Sequence, residues 1–487
     1  MNAKLFSVLL AALLLLPCAG GGEETAVNGF PFALQASLKN RGENNPLYTH
    51  RFGADPGVME YDGRLYVYMT NDIPEYDAAG NIKENSYGQI RSVSCISSDD
   101  LVNWTDHGLI PVAGPAGIAK WASNSWAPCA AHKTVDGKEK FFLYFCNGGN
   151  GIGVLCADSP AGPWRDERGS LLISRAVKNC ADVTWLFDPA VMVDEDGTGY
   201  LAFGGGVPAG KESDPGTGRI VRLGADMISL DGDPVRLEVP WLFEDSGINR
   251  IGDRYIYSYC SNWQTRGNPL GMTDGAIQYM VSDDPMGPYT YAGELFPNQG
   301  RFFGLYGNNH HSIARFKGEW YLFYHSRPVE KALGLTGNYR SPQADRITLS
   351  ADGLPQKVRG TMKGLEQLHP LDPSRTVSAA TMCRQAGITV EGSGEGTWIR
   401  GETGSWIMVS EADFGEGKTE MTVTAMPGCA CTMYAVLDDP EGETACSLRL
   451  DAAEAITEFS APFSAAGVHD LYLIFDGDAA LLSWSVR

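Results

Sequence analysis

The chain has 487 residues, 43% of them hydrophobic and 58 of them glycine, with a formal net charge of −21. That length allows one large repeat domain and one smaller domain, and the glycine content suits many tight turns better than long helices. The acidic balance opposes binding to nucleic acid or to an anionic membrane, which reward clustered Lys and Arg, and it tolerates a neutral polymer.

Met1 to Lys4, the apolar run Leu5–Leu16 and Pro17-Cys-Ala-Gly-Gly21 read as an export signal over residues 1–20, too short to span a bilayer as a mature helix. Cys18 stands where a lipoprotein carries its lipidated cysteine, so a plain cleaved signal and a lipoprotein-type signal both fit. The expected destination is periplasmic, secreted or at the cell surface of a bacterium. No other stretch reads as transmembrane. Residues 21–46 form a lead-in segment that closes or covers the domain C-terminal to it.

Residues 47–370 carry five copies of one unit, an aromatic hairpin whose turn is marked by Asp62, Asp136, Asp194, Gly252 and Lys317. Turn residues that tolerate positive φ between alternating apolar runs are a hairpin signal. A second marker follows each hairpin, at Asn103-Trp104, Pro163-Trp164, Asp226-Met227, Pro288-Tyr289 and Asp352-Gly353. Two markers in fixed order, five times, with no convincing helix between them, predict an all-β fold: a five-bladed β-propeller of four-stranded sheets. After a polar link, residues 371–487 show alternating strands at short intervals and read as a small β-sandwich. Ten cysteines remain beyond Cys18. Their spacing matches no zinc pattern, and most read as core residues, with room for one disulfide.

Aligning the units on their turns places Asp55, the Trp126-Ala-Pro128 group, Asp188, Glu244 and His310 on the innermost strands, where residues at matching positions converge on the central channel. Three of the five are carboxylates. Phe52, Trp185, Phe187, Trp241 and Phe243 would wall the pocket, and burial there separates carboxyl pKa values. One protonated and one ionised carboxyl flanking a bond is the equipment for glycoside hydrolysis. Asp245 neighbours Glu244, but alternation along a strand lets only one of them face the channel. Asn124, Trp126, Trp185, Phe187, Asn262 and Arg340 are substrate-binding candidates, because sugar hydroxyls need amide and guanidinium partners and sugar rings stack on aromatics.

The motifs Ala54-Asp-Pro-Gly57, Ser125-Trp-Ala-Pro128, Phe187-Asp-Pro-Ala190, Leu242-Phe-Glu-Asp245 and Gly307-Asn-Asn-His-His-Ser312, in this order, resemble glycoside hydrolase family 43, the five-bladed propeller glycosidases. The resemblance implies Asp55 as general base, Asp188 as the residue that orients and tunes the acid, Glu244 as general acid, and inversion of anomeric configuration. It requires no cofactor for chemistry, and it implies a structural calcium ion on the axis near His310. Finer likeness, including Trp121-Ala-Ser-Asn-Ser-Trp126 and Phe203-Gly-Gly-Gly206, points to release of α-L-arabinofuranosyl units from arabinoxylan-type hemicellulose. β-D-xylosidase action is the alternative, and a propeller that binds glycan without cleaving it is the rival from another class. The C-terminal stretch Gly467-Val-His-Asp-Leu-Tyr-Leu-Ile-Phe475 resembles a family 6 carbohydrate-binding module. It departs from that family at Ala480-Leu-Leu-Ser-Trp484, so sugar binding and a purely supporting role both stay open.

Overall fold

A computed structural model describes residues 30–487; the export signal and Cys18 lie outside the described residues. The chain forms five small antiparallel sheets in a ring, followed by two sheets packed as a sandwich. Blade 1 comprises Ala54–Tyr61, Arg64–Thr70, Val93–Ser98 and Trp104–Ile110; blade 3 comprises Ala190–Val193, Gly199–Phe203, Arg219–Arg222 and Val235–Arg236; blade 4 comprises Leu242–Ile251, Arg254–Ser261, Ile277–Ser282 and Thr290–Phe296. Blades 2 and 5 depart from the expected four strands. Each holds three, Trp126–Val135, Lys138–Cys146 and Ile152–Ala157 in blade 2, and His311–Phe316, Glu319–Ser326 and Ser341–Ile347 in blade 5. In blade 2 the outermost pairing shrinks to a bridge between Cys156 and Arg165.

The ring closes through its innermost strands, each packing on the next and the fifth returning against the first. Residues near Asn45 support the closure: the Leu47 amide donates to Pro342 O, the Gly53 amide to Arg340 O, and the Asn45 side chain exchanges hydrogen bonds with the Ala344 backbone. Both markers seen in the sequence have a physical cause. The hairpin turns at Asp62-Gly63, Asp136-Gly137 and Lys317-Gly318 hold both residues at positive φ, between 48° and 89°, the geometry whose twist matches paired strands. The second marker plugs the gap to the preceding blade. Trp104 packs edge-on to Phe323, Trp164 does the same to Tyr68, and Tyr144 of blade 2 donates to the Met227 carbonyl. Five apolar clusters fill the five gaps between blades, and each fully buried large side chain there contributes about 1.5–3 kcal/mol.

The sandwich stacks a sheet around Lys418–Pro427 and Ala479–Val486 on one around Trp406–Asp413 and Val468–Asp476, with Met421, Met433, Phe475 and Trp484 in a dry core. Thr381–Met382, at the start of this half, pairs with Trp104–Ile110 and adds a fifth strand to blade 1. The Asn103 side chain also reaches across, donating to Ser410 O and accepting from the Ser410 amide. The ten described cysteines are all unpaired, and only Cys429 is exposed. Among the described residues no helix is long and apolar enough to cross a membrane.

Candidate active site

Four innermost strands share one irregularity near their start. Asp55, Ala127, Asp188 and Asp245 take positive φ of 51°, 39°, 49° and 68°, and in blades 1, 2 and 4 the pairing with the second strand slips around that point. Such bulges re-aim side chains, and non-glycine residues in this region cost about 1–3 kcal/mol each. The cost falls where the chain turns carboxylates toward the axis. The bulge also corrects one reading. The position matching Asp55 and Asp188 in blade 4 is Asp245, with Glu244 one residue before it, and strict alternation does not hold there. Asp245 is fully buried and belongs to the same cluster as Glu244.

Asp55 is 5% exposed and tightly partnered. Its carboxylate accepts from Arg340 at 2.8 Å and from the Thr70 hydroxyl at 2.7 Å, and lies 3.3 Å from His325 Nδ1, which also accepts the Asp55 backbone amide. Burial opposes its charge, but Arg340 and His310 outweigh burial and hold the carboxyl well below the usual carboxylate range. Arg340 is itself clamped by Asp72 through Nε at 2.9 Å and a second nitrogen at 2.7 Å, and its guanidinium lies over the Tyr87 ring. Three of its five guanidinium N–H donors go to carboxylates, and it governs the charge of Asp55 directly.

Asp188 accepts the Asp245 amide at 2.9 Å, while its own amide donates to Cys146 Sγ at 2.9 Å. Burial, reinforced by Asp55, pushes its carboxyl up against the pull of His310. Glu244 is pushed well above the usual range by burial and by Asp188, Asp55 and Asp245, with Arg340 opposing. Its Oε1 is buried and has no hydrogen-bond partner. A carboxyl that has lost water without gaining a donor favours its neutral form. One acid is thus held ionised and another held protonated, with a third beside both.

His310 lies among these acids. Its Nδ1 is 3.6 Å from Asp55 and 3.8 Å from Asp188, and its Nε2 is 3.2 Å from Asp245. Burial opposes a charge on the ring, but Asp245, Asp55 and Asp188 raise its pKa overall. His311 lies on the far side of Asp245, bonded to it at 2.5 Å and to the Ser258 hydroxyl at 2.7 Å. Among the described residues no group of three or more His, Cys, Asp or Glu is placed to hold a metal ion. The negative axis favours a cation beside His310, but the carboxylates already have partners, so an ion there would draw most of its ligands from water.

Trp185 stands edge-on to Phe187 at 5.3 Å and to Phe243 at 5.4 Å, forming one aromatic wall. The Gly206 amide donates to Phe243 O, and a Cβ on Gly205 would meet that carbonyl at 2.5 Å, so the glycine run lets this wall approach Glu244. Trp126 donates its indole N–H to Tyr87 O. Asn124 spends its amide on the carbonyls of Tyr87, Gly88 and Ile90, and Asn262 donates to Glu212 O and accepts the Gln264 amide. Both asparagines tie loops at the rim. Sequence reasoning did not single out His325, Thr70 or Cys146, whose link to the acids exists only in three dimensions.

A ring of five blades with an ionised and a protonated carboxyl on its axis defines a propeller glycosidase. The model of Glycosyl hydrolases family 43 matches residues 44–355, and the chain belongs to that family. It is 44% identical over 464 residues to an arabinoxylan arabinofuranohydrolase of Paenibacillus polymyxa, covering 90% of this chain and 73% of that one. To the arabinoxylan arabinofuranohydrolase of Bacillus subtilis it is 41% identical over 502 residues, 98% of this chain and 97% of that one. A crystal structure of a Bacillus subtilis family 43 arabinoxylan arabinofuranohydrolase in complex with cellotetraose superposes with a TM-score of 0.90 at 40% identity, covering 93% and 99% of the two chains.

Proposed function

We propose that this protein is an exported hydrolase that releases α-L-arabinofuranosyl units from arabinoxylan or related hemicellulose by single displacement with inversion. The observation that carries the reading is the pair of opposed carboxyls, Asp55 held ionised by Arg340 and Glu244 held neutral with an unpartnered oxygen. Asp55 takes a proton from water as that water attacks the anomeric carbon. Glu244 gives its proton to the departing glycosidic oxygen. Asp188, bonded to the backbone next to Glu244, adds to the burial that raises the Glu244 pKa to the extent that it is itself ionised. Proton exchange with solvent then restores both acids.

The relatives named for arabinoxylan span nearly the whole chain, which favours arabinofuranoside over xyloside as substrate. β-D-xylosidase action is the second reading, supported by a Bacteroides ovatus relative named xylosidase/arabinosidase, 29% identical over 318 residues. Paired aryl α-L-arabinofuranoside and β-D-xyloside substrates separate the two. The arabinoside is expected to be cleaved faster, with the product first seen by NMR in the inverted configuration; faster xyloside cleavage selects the second reading, and a retained anomer rejects single displacement.

No cofactor enters this chemistry. A calcium ion at His310, completed by water, is part of the proposal as a structural ion that would neutralise the axis. Purified protein is then expected to hold about one calcium and to lose thermal stability on chelation. A metal-free protein indifferent to chelator would leave a proton on His310 as the neutralising charge.

A further inference from the structure

At the start of each innermost strand one backbone amide points sideways, and a side chain of the preceding blade accepts it. The Asp55 amide donates to His325 Nδ1 at 3.1 Å, the Ala127 amide to the Thr70 hydroxyl at 2.8 Å, and the Asp188 amide to Cys146 Sγ at 2.9 Å. In the last two blades the acceptors are acids of the site. The Asp245 amide donates to Asp188 at 2.9 Å, and the His311 amide to Asp245 at 3.1 Å. The bonds thus pass round the axis, one per blade. His325, Thr70 and Cys146 also share a place in the fold, at the end of the second strand of blades 5, 1 and 2.

Four of these five amides belong to residues at positive φ, a conformation that persists only where its surroundings hold it. A buried amide without an acceptor is costly, so the side chain that meets it fixes which way the turn faces and where the carboxyl on that turn points. His325, Thr70 and Cys146 are each fully buried and out of reach of a substrate. His325 Nε2 donates to Asn308 O at 3.0 Å, which leaves Nδ1 as the acceptor for the Asp55 amide. Cys146 sits among Ala127, Phe187, Trp126 and Trp185, and its other polar contacts, Asp188 Oδ1 and Ala127 O, lie at 3.9 and 4.0 Å. Its sulfur holds the Asp188 turn. The Asp188 carboxylate in turn holds the amide that follows Glu244.

We infer that Cys146 and His325 are positioning residues for hydrolysis, Cys146 acting on Glu244 through Asp188 and the Asp245 amide, and His325 acting on Asp55. The inference rests on the proposed hydrolase reading for what the acids do. Steady-state kinetics on an aryl α-L-arabinofuranoside, run well below the melting temperature of each variant, test it. Cys146→Ala and Cys146→Val, which offer no acceptor, are expected to lose about tenfold in kcat with KM within about twofold, and Cys146→Ser, which keeps an acceptor, to stay within about twofold of wild type. His325→Leu is expected to lose about tenfold in kcat, and His325→Asn, whose side-chain oxygen can take the place of Nδ1, to recover most of it.

A residue that only fills space gives the opposite order, since valine suits an apolar site better than serine does. Wild-type kcat in Cys146→Val, a loss in Cys146→Ser as large as that in Cys146→Ala, or a loss confined to KM overturns the role of Cys146. Equal loss in His325→Leu and His325→Asn overturns that of His325. Hydrogen exchange read by mass spectrometry tests the clamp without turnover: the peptide containing Asp188 is expected to exchange about tenfold faster in Cys146→Val and at the wild-type rate in Cys146→Ser. Unchanged exchange in Cys146→Val overturns the clamp. Absence of any glycoside cleavage by the wild type would reject the hydrolase reading and the positioning role with it, while faster exchange in Cys146→Val would still uphold the clamp.

Discussion

The propeller axis and the sandwich core are both buried, both bordered by antiparallel strands, and filled by opposite chemistry. Along the axis lie Asp55, Asp72, Asp188, Glu244, Asp245, His310, His325 and Arg340, each less than a tenth exposed. In the sandwich the equivalent volume holds Met421, Val423, Met433, Leu473, Phe475 and Trp484. Removing water from a charge costs several kcal/mol unless partners replace it, whereas removing water from an apolar side chain is favourable. The ring therefore draws its stability from the apolar layers between blades and accepts an unfavourable centre. That centre is where carboxyl pKa values can be driven apart. Among the described residues the sandwich buries no charged side chain.

Substitutions should sharpen this contrast. Glu244→Gln removes the proposed proton donor while keeping its shape, and kcat on arabinofuranosides is expected to fall about 10³-fold with little change in melting temperature, as measured by steady-state kinetics beside calorimetry. Arg340→Gln should strike both properties, because it leaves Asp55 and Asp72 buried without their cation; a loss of about 3–5 kcal/mol is expected in denaturant unfolding. The sign of its pH effect is fixed. Asp55 has a depressed folded pKa, so its contribution to stability is present above its unfolded value and is lost as pH falls through the folded value. Wild type should therefore stay active well into the acidic range, and Arg340→Gln should move the acid limb of kcat/KM upward. The alkaline limb, set by loss of the Glu244 proton, should lie above an ordinary glutamate value in both proteins.

Trp484→Ala should break the other side of the comparison. It empties a fully buried site in the sandwich, at a cost of about 3–5 kcal/mol, and its pH–rate profile should overlay wild type at temperatures where it remains folded. A shifted profile would show the two regions to be electrostatically coupled. The smallest effect is expected from Thr70→Ala, which deletes one hydrogen bond to Asp55 and one acceptor for the Ala127 amide. About 1–2 kcal/mol of stability and a slight upward shift of the acid limb are the expected readouts.

The blades were legible because their signals are local. Asp-Gly turns and a pattern of period two survive without knowledge of the neighbours, and a second marker follows each turn in the same order. Asp55 and Asp188 were legible for the same reason, since each precedes proline at a matching distance from a turn. Blade 4 was harder, because a bulge changes which residue matches the others, and a bulge leaves only a faint trace in sequence. Arg340 was found as a pocket residue, but its ties to Asp55 and Asp72 were not. They are 285 and 268 residues away in the chain, and no periodicity reports a contact of that range. His325 and Cys146 face the acids from second strands of their blades, where a histidine or a thiol looks like any other core residue.

The short strand Thr381–Met382 has a consequence for inheritance. It completes blade 1 from the far side of the domain boundary, so a catalytic ring cut off near residue 370 would present the bare backbone of Trp104–Ile110 to any other chain with a free strand edge. The C-terminal half is thus ill suited to being traded among enzymes as a detachable appendage. A ring receiving it by recombination would need an outer strand of matching register to accept those two residues. The two halves occur together in the Bacillus subtilis relative, which aligns with 98% of this chain.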